Sequence, residues 1–149
     1  MRQRLATVLA VLAAVAWAGC AHRKAVANAE SLHTAAETFF RSVRWNDLRG
    51  AAQMLAFESQ RGWLDKALDA KDDENLKITD CEAEDQRIHE GGGATTEWRV
   101  TWHRMPSVTT RTDRVIVEWV ERAGIWYVLS ITSGPLPLAP AAVPGDAGR

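Results

Sequence analysis

Thr95-Thr96-Glu97-Trp98-Arg99-Val100-Thr101-Trp102-His103-Arg104-Met105 alternates, and that alternation decides the fold class. Trp98, Val100 and Trp102 fall on one side, and Glu97, Arg99, Thr101 and His103 on the other. Successive side chains of an extended chain point to opposite faces, so this is a strand with one face on a core. Three neighbouring stretches share the period. Leu76 to His89 precedes it across Gly91-Gly92-Gly93, where glycine takes positive φ at little cost. Met105-Pro106-Ser107 turns the chain into a strand from Val108 to about Glu121. Ala123-Gly124 then turns it into a strand from Ile125 to about Thr132. A hairpin closed there by two or four residues puts Val117 and Trp119 on the same face as Trp126 and Val128. That face is the expected centre of the sheet.

Upstream the period changes to that of a helix. Ala29, Leu32, Ala36, Phe39 or Phe40, and Val43 recur at steps of three and four, with Glu30, His33, Glu37 and Arg41 on the other side. This predicts one amphipathic helix ending near Arg44-Trp45, with Asn46 as its stop. Asp47 is placed to cap a second helix, because its carboxylate can accept an unpaired backbone N–H. Leu48, Ala51, Ala52 and Leu55 share a face of that helix. A third is expected from near Ser59 through Trp63, Leu64, Ala67 and Leu68, ended by the charged run Asp69 to Glu74. About three N-terminal helices followed by a four-stranded antiparallel meander make the expected class α+β. Ser133 to Arg149 holds four of the five prolines and is expected to remain a loose tail.

The chain opens differently. Arg2 and Arg4 precede an uncharged run, Leu5 to Ala18, of the length and flanks of a signal-peptide core. The run is weaker than the ~20 strongly apolar residues of a spanning helix. Trp17-Ala18-Gly19-Cys20 resembles the lipobox of a bacterial lipoprotein signal. That resemblance implies cleavage before Cys20 and acylation of its thiol and new N-terminus with palmitate-type chains. Two or more such chains make a stable anchor, at about 0.8 kcal/mol per buried methylene. Ala21, where an aspartate would imply retention at the inner membrane, implies the periplasmic face of the outer membrane. The alternative is cleavage at Ala16-Trp17-Ala18, giving a soluble periplasmic protein. On this reading residues 1–19 are signal, 20–28 a tether, 29–132 the domain and 133–149 the tail.

Without the first 19 of its 149 residues the chain has 130, enough for one domain. The leader holds two arginines and no acid, so 16 basic residues face 19 acidic ones, a formal charge of −3. That balance offers no footprint for nucleic acid. With Cys20 lipidated, Cys81 has no intrachain disulfide partner, and the fold stands on its core.

The helix Ala29–Trp45, the link Asn46-Asp47-Leu48, a second helix with Ala51-Ala52 and Leu55, and the closing Gly124-Ile125-Trp126-Tyr127-Val128 resemble the nuclear transport factor two-like superfamily. The resemblance covers about residues 29–132. It implies a curved, cone-like sheet wrapped around a long helix, in a superfamily that hosts enzymes and non-enzymatic modules alike.

In superfamily enzymes the mouth of the cone holds a general acid or base. The nearest candidates are His103, Arg99, Glu97 and Glu118, set against the reading that their face is simply wet. No position matches a family dyad, so no catalytic residue is assigned. His22, His33, His89 and His103 show no ligand spacing, and no metal or other cofactor is expected. Cys81, between Asp80 and Glu82, reads as a structural thiol whose pKa is raised. Trp45, Trp63, Trp119, Trp126, Val117 and Val128 either line a pocket for a small apolar ligand or fill the core. A homodimer through the outer sheet face is a further expectation. The functional expectation is a lipid-anchored, non-enzymatic binding or interaction module. The alternatives are a small isomerase- or hydrolase-like enzyme using His103 with Arg99 or Glu118, and an assembly component of the cell envelope.

Overall fold

A computed structural model describes residues 28–63, 65 and 75–139. The expected leader, Cys20, most of the tether, the end of the expected third helix and the tail beyond Ala139 lie outside the described residues. Helix α1 occupies residues 28–44. Its buried stripe is Leu32, Ala36, Phe39, Phe40 and Val43, so both phenylalanines face the core. The helix stops at Asn46, which takes φ 59°. Asn46 N–H donates to Val43 O at 3.1 Å and Asp47 N–H to Ser42 O at 2.8 Å. This crossed pair satisfies carbonyls that a helix end leaves open, and asparagine tolerates the left-handed turn better than most residues.

The sheet is an antiparallel meander in the order β1-β2-β3-β4. Its strands are β1 Leu76–His89, β2 Gly93–Arg104, β3 Arg111–Arg122 and β4 Ile125–Thr132. Ala94, Thr96, Trp98, Val100 and Trp102 of β2 are buried, every second residue, as the alternation requires. A bulge between Glu118 and Trp119 of the β3–β4 ladder leaves Leu129 unpaired. It shifts the parity of β4 so that Val128, opposite Trp119, and Ile131, opposite Val117, both reach the core.

The expectation of three N-terminal helices is corrected. The class is α+β, but the described chain has one long helix and a small one, α2, Leu48–Ala52. Asp47 does cap α2, its carboxylate accepting Gly50 N–H at 2.9 Å. The helix then ends before Leu55 because the chain is recruited to the open edge of β4. Val128 N–H donates to Met54 O and Ala56 N–H to Val128 O, both at 2.8 Å. Near Ser59 stands a four-residue 3-10 turn, Glu58–Arg61. Its Gln60 is buried, with the side-chain oxygen accepting Phe57 N–H and the amide donating to Leu129 O at 2.6 Å.

The packing also runs past the expected boundary at Thr132. Leu138 exchanges two backbone hydrogen bonds with Ile131, at 2.9 and 3.0 Å, and is buried. Pro135 and Pro137 lack N–H donors and have fixed φ, so the Pro-Leu-Pro-Leu run loses little entropy when it lies along an edge. Residues 54–56 and 138 together cover the β4 edge. The β1 edge is blunted differently, by two register shifts, between Ile78 and Asp80 and between Ala83 and Asp85, and by charged side chains.

Candidate functional site

Between α1 and the sheet the space is filled. Phe39 packs edge-on against Trp119, with ring centroids 6.1 Å apart, and Phe40 stacks on Trp98 at 4.2 Å. Trp119, Val117, Val128, Trp126 and Trp63 all belong to this core. A seam beside Phe39, Val100, Val115 and Ile131 has about 20 Å³ of free volume. That is room for about one water molecule. Trp45 is placed differently: it stands after the last turn of α1, 76% exposed.

The outer face carries the titratable residues singled out in the sequence. Arg99 pairs with Glu82 at 3.1 Å and with Glu84. Glu97 pairs with Arg114, and Glu118 accepts the Ser130 hydroxyl at 2.8 Å. Glu118 lies opposite Thr95. That is eight residues along β2 from His103, about 26 Å at ~3.3 Å per residue. His103 and Glu118 therefore do not share a site, and the carboxylates and guanidinium between them are engaged with one another.

A concavity of another kind lies at the C-terminal end of α1. It has a volume of about 260 Å³ and is walled by Phe40, Trp45, Trp98, Cys81 and the charged Glu37, Arg41 and Arg44. Arg41 and Arg44 are three apart on the helix, so they project side by side. Among the described residues Arg41 has no ion-pair partner, and Arg44 approaches only Asp80, at 3.9 Å. Cys81 sits among them with its thiol pushed from the ordinary 9.0 to about 11. Burial is the main cause; Arg44 opposes it and Asp80 adds to it. The thiol is thus neutral near pH 7 and is not a nucleophile there.

Trp98 contributes a second feature. The indole N–H groups of three other tryptophans have acceptors: Thr96 for Trp119 at 2.9 Å, Ser31 for Trp126 at 3.1 Å and Asp113 for Trp102 at 2.7 Å. The Trp98 N–H is buried and has none among the described residues. A buried donor left unpaired costs roughly 1–3 kcal/mol. Beyond Arg44 and Trp45, which wall both, lies a second hollow of about 210 Å³. Val43, Leu48, Leu76, Ile78 and Leu136 make its apolar lining, and Asn46 and Lys77 its polar one. Of the residues around these two hollows, the sequence reading singled out only Trp45 as a candidate ligand contact. The available signal was the pair of arginines flanking the end of an amphipathic helix beside a tryptophan.

No family model matches the sequence, and no curated protein matches it. The fold is similar to the solution structure of a SEC-C motif containing protein from Rhodopseudomonas palustris. The match has a TM-score of 0.52 and 11% sequence identity, and it covers 64% of this chain and 73% of that one. At that identity the likeness is one of fold.

Proposed function

We propose that this chain is a lipoprotein, fastened through Cys20 to the periplasmic face of the outer membrane, whose α+β domain binds rather than catalyses. The observation that carries the reading is the N-terminal sequence: Arg2 and Arg4, the apolar run Leu5 to Ala18, then Gly19-Cys20. The domain supports the second half of the reading. Of its candidate acid–base residues, Arg99 and Glu97 are engaged in ion pairs on the outer face, while its open hollows are lined by Glu37, Arg41, Arg44 and Lys77 beside apolar side chains.

The test is the mass of the N-terminal peptide of protein recovered from its native host. A diacylated or triacylated Cys20 is expected. An unmodified N-terminus at Gly19 means cleavage after Ala18 and a soluble protein, and a retained leader removes the anchor altogether. Screening for turnover with wild type and His103→Ala tests the second half. Any activity lost in His103→Ala would reverse it.

A further inference from the structure

We propose that residues 133–139 form a strap that gates an apolar pocket between α1 and the sheet. Leu136 closes the pocket, and the strap lifts about Ser133-Gly134 to admit a hydrocarbon-like molecule the size of a single aromatic ring. This rests on reading the domain as a binding module, but not on the lipid anchor.

Leu136 stands between two spaces. It lines the hollow of about 210 Å³ beside the end of α1 and also the inner seam of about 20 Å³, as do Val43 and Ile78. Val43 belongs to α1 and Ile78 to β1, each held in its own hydrogen-bonded element. Leu136 alone of the three belongs to a segment that can leave. When it does, hollow and seam join into one cavity that reaches Phe39, Val100, Val115 and Ile131. The rim is mixed, with Arg44, Asn46 and Lys77 upon it, so selection falls to the interior. There the side chains that α1 and the sheet contribute are hydrocarbon and offer a polar ligand no hydrogen bond. The group that fills the space at present is itself a hydrocarbon side chain, which is the chemistry that can replace it.

The strap is lightly held. Pro135 and Pro137 have no N–H to donate. Among the described residues, the backbone hydrogen bonds between 135–138 and the sheet are the two that Leu138 exchanges with Ile131. Gln60 adds a long one to Ala139 O, at 3.5 Å. A segment held by so few bonds belongs to the low-stability end of a fold. At its root Ser133 and Gly134 take φ 66° and 81° in succession. A serine in the left-handed region is strained, and lifting the strap relieves it. Burial of Leu138 keeps the strap shut without ligand, and a ring bound in the opened pocket offsets the loss of that burial.

Toluene is the probe, supplied through the vapour so that its aqueous activity is fixed, with dioxane as a polar ring of similar size. The full chain, with ¹³C-labelled valine methyls, is held in nanodiscs of zwitterionic lipid. Val100→Ile and Val115→Ile assign the two sets of signals by their disappearance. Toluene is expected to move both saturably, and dioxane to leave them in place. At saturation the Ile131 amide, which donates to Leu138 O, is expected to exchange with deuterium about tenfold faster. The Val128 amide, which donates to Met54 O, is expected to keep its rate. Ile131→Cys together with Leu138→Cys locks the strap when oxidised and frees it when reduced, since such hydrogen-bonded partners stand ~5.5 Å apart at Cα, within disulfide reach. The reduced form is expected to bind toluene about tenfold more tightly than the oxidised form. Both forms have the same side chains, so the difference reports the strap. Should that pair fail to fold, the wild-type exchange rates decide. Unmoved valine signals with toluene would overturn the proposal. So would equal shifts with dioxane, an unchanged Ile131 rate at saturation, or equal affinity of the oxidised and reduced forms. Each of these removes the gate and leaves the binding reading standing, because that reading falls to turnover lost in His103→Ala.

Discussion

Ala123 shows how one residue can be out of keeping with its turn. Arg122 pairs with Ile125, so Ala123-Gly124 is a two-residue hairpin loop, and both residues have positive φ, 53° and 82°. Such a loop suits the twist of the strands but favours Asn or Gly at its first position. An alanine in the left-handed region costs roughly 1 kcal/mol. Ala123→Gly is expected to raise stability by up to about that amount, which urea unfolding would register as a higher midpoint with unchanged slope. Gly134 is the converse case: it has φ 81°, and a Cβ there would stand 2.6 Å from Val115 Cγ2. Gly134→Ala is expected to cost more than ~1 kcal/mol by the same measurement. Cys81 gives a pH dependence. Its thiol titrates near 11 in the folded chain against an ordinary 9.0, so the folded state holds the proton more tightly between those values. The stabilisation is complete below about pH 9 and is lost as pH rises toward 11. The melting temperature of the wild type is therefore expected to fall more steeply over that interval than that of Cys81→Ala. At this scale the sequence was informative about Asp47, Asn46 and the direction in which the Cys81 thiol is moved, though burial moves it more than Asp80 does. It was silent about Trp98, because alternation assigns a side chain to a face but does not say whether its N–H finds an acceptor.

At the scale of elements, strands were legible and the short helices were not, for a physical reason. A strand with one buried face carries its signature in every second residue, as β2 does, and Leu76–His89 and Ile125–Thr132 have the bounds expected of them, although two register shifts break the alternation in β1. Leu48, Ala51 and Leu55 also fit one helical face, yet Leu55 serves the sheet instead, because an uncovered β4 edge offers hydrogen bonds that a fraying helix end does not. The same competition explains the Pro-rich stretch. Its composition argued for a loose tail, but Leu138 fits the remaining open position beside Ile131. Ending the chain after Gly134 should therefore remove more than a tail. Leu138 is buried, and burying a leucine contributes about 1.5–3 kcal/mol, with two backbone hydrogen bonds besides. The shortened chain is expected to lose about 2–4 kcal/mol. Its Ile131 amide should exchange with deuterium much faster than in the full chain, relative to the Trp119 amide at the centre of the sheet. Equal protection of Ile131 in both chains would show that residues 135–139 are dispensable to the edge.

Across the whole molecule the two faces of the sheet do different work. The inner face meets α1 through large side chains: Phe39 is 1% exposed and touches both Phe40 and Trp119 edge-on. The outer face is a lattice of ion pairs, from Arg99–Glu82, exposed at both ends, to Glu97–Arg114, whose carboxylate is largely buried. The sequence distinguished these faces but not the volume between them, because the same tryptophan spacing describes a lined cavity and a packed core. Only the bulk contributed by α1, with both Phe39 and Phe40 turned inward, decides for a packed core. The open hollows therefore lie at the end of the helix and not at the centre of the fold. The energetic asymmetry can be measured directly. Phe39→Ala removes a buried aromatic ring from contacts that cannot collapse around the gap, and is expected to cost about 3–5 kcal/mol. Arg114→Gln leaves the Glu97 carboxylate, only 13% exposed, without its cation, and is expected to cost about 1–3 kcal/mol. Urea unfolding of the two variants beside the wild type gives both numbers. A larger loss for Arg114→Gln than for Phe39→Ala would mean that the outer lattice, and not the aromatic contact with α1, holds the sheet in shape.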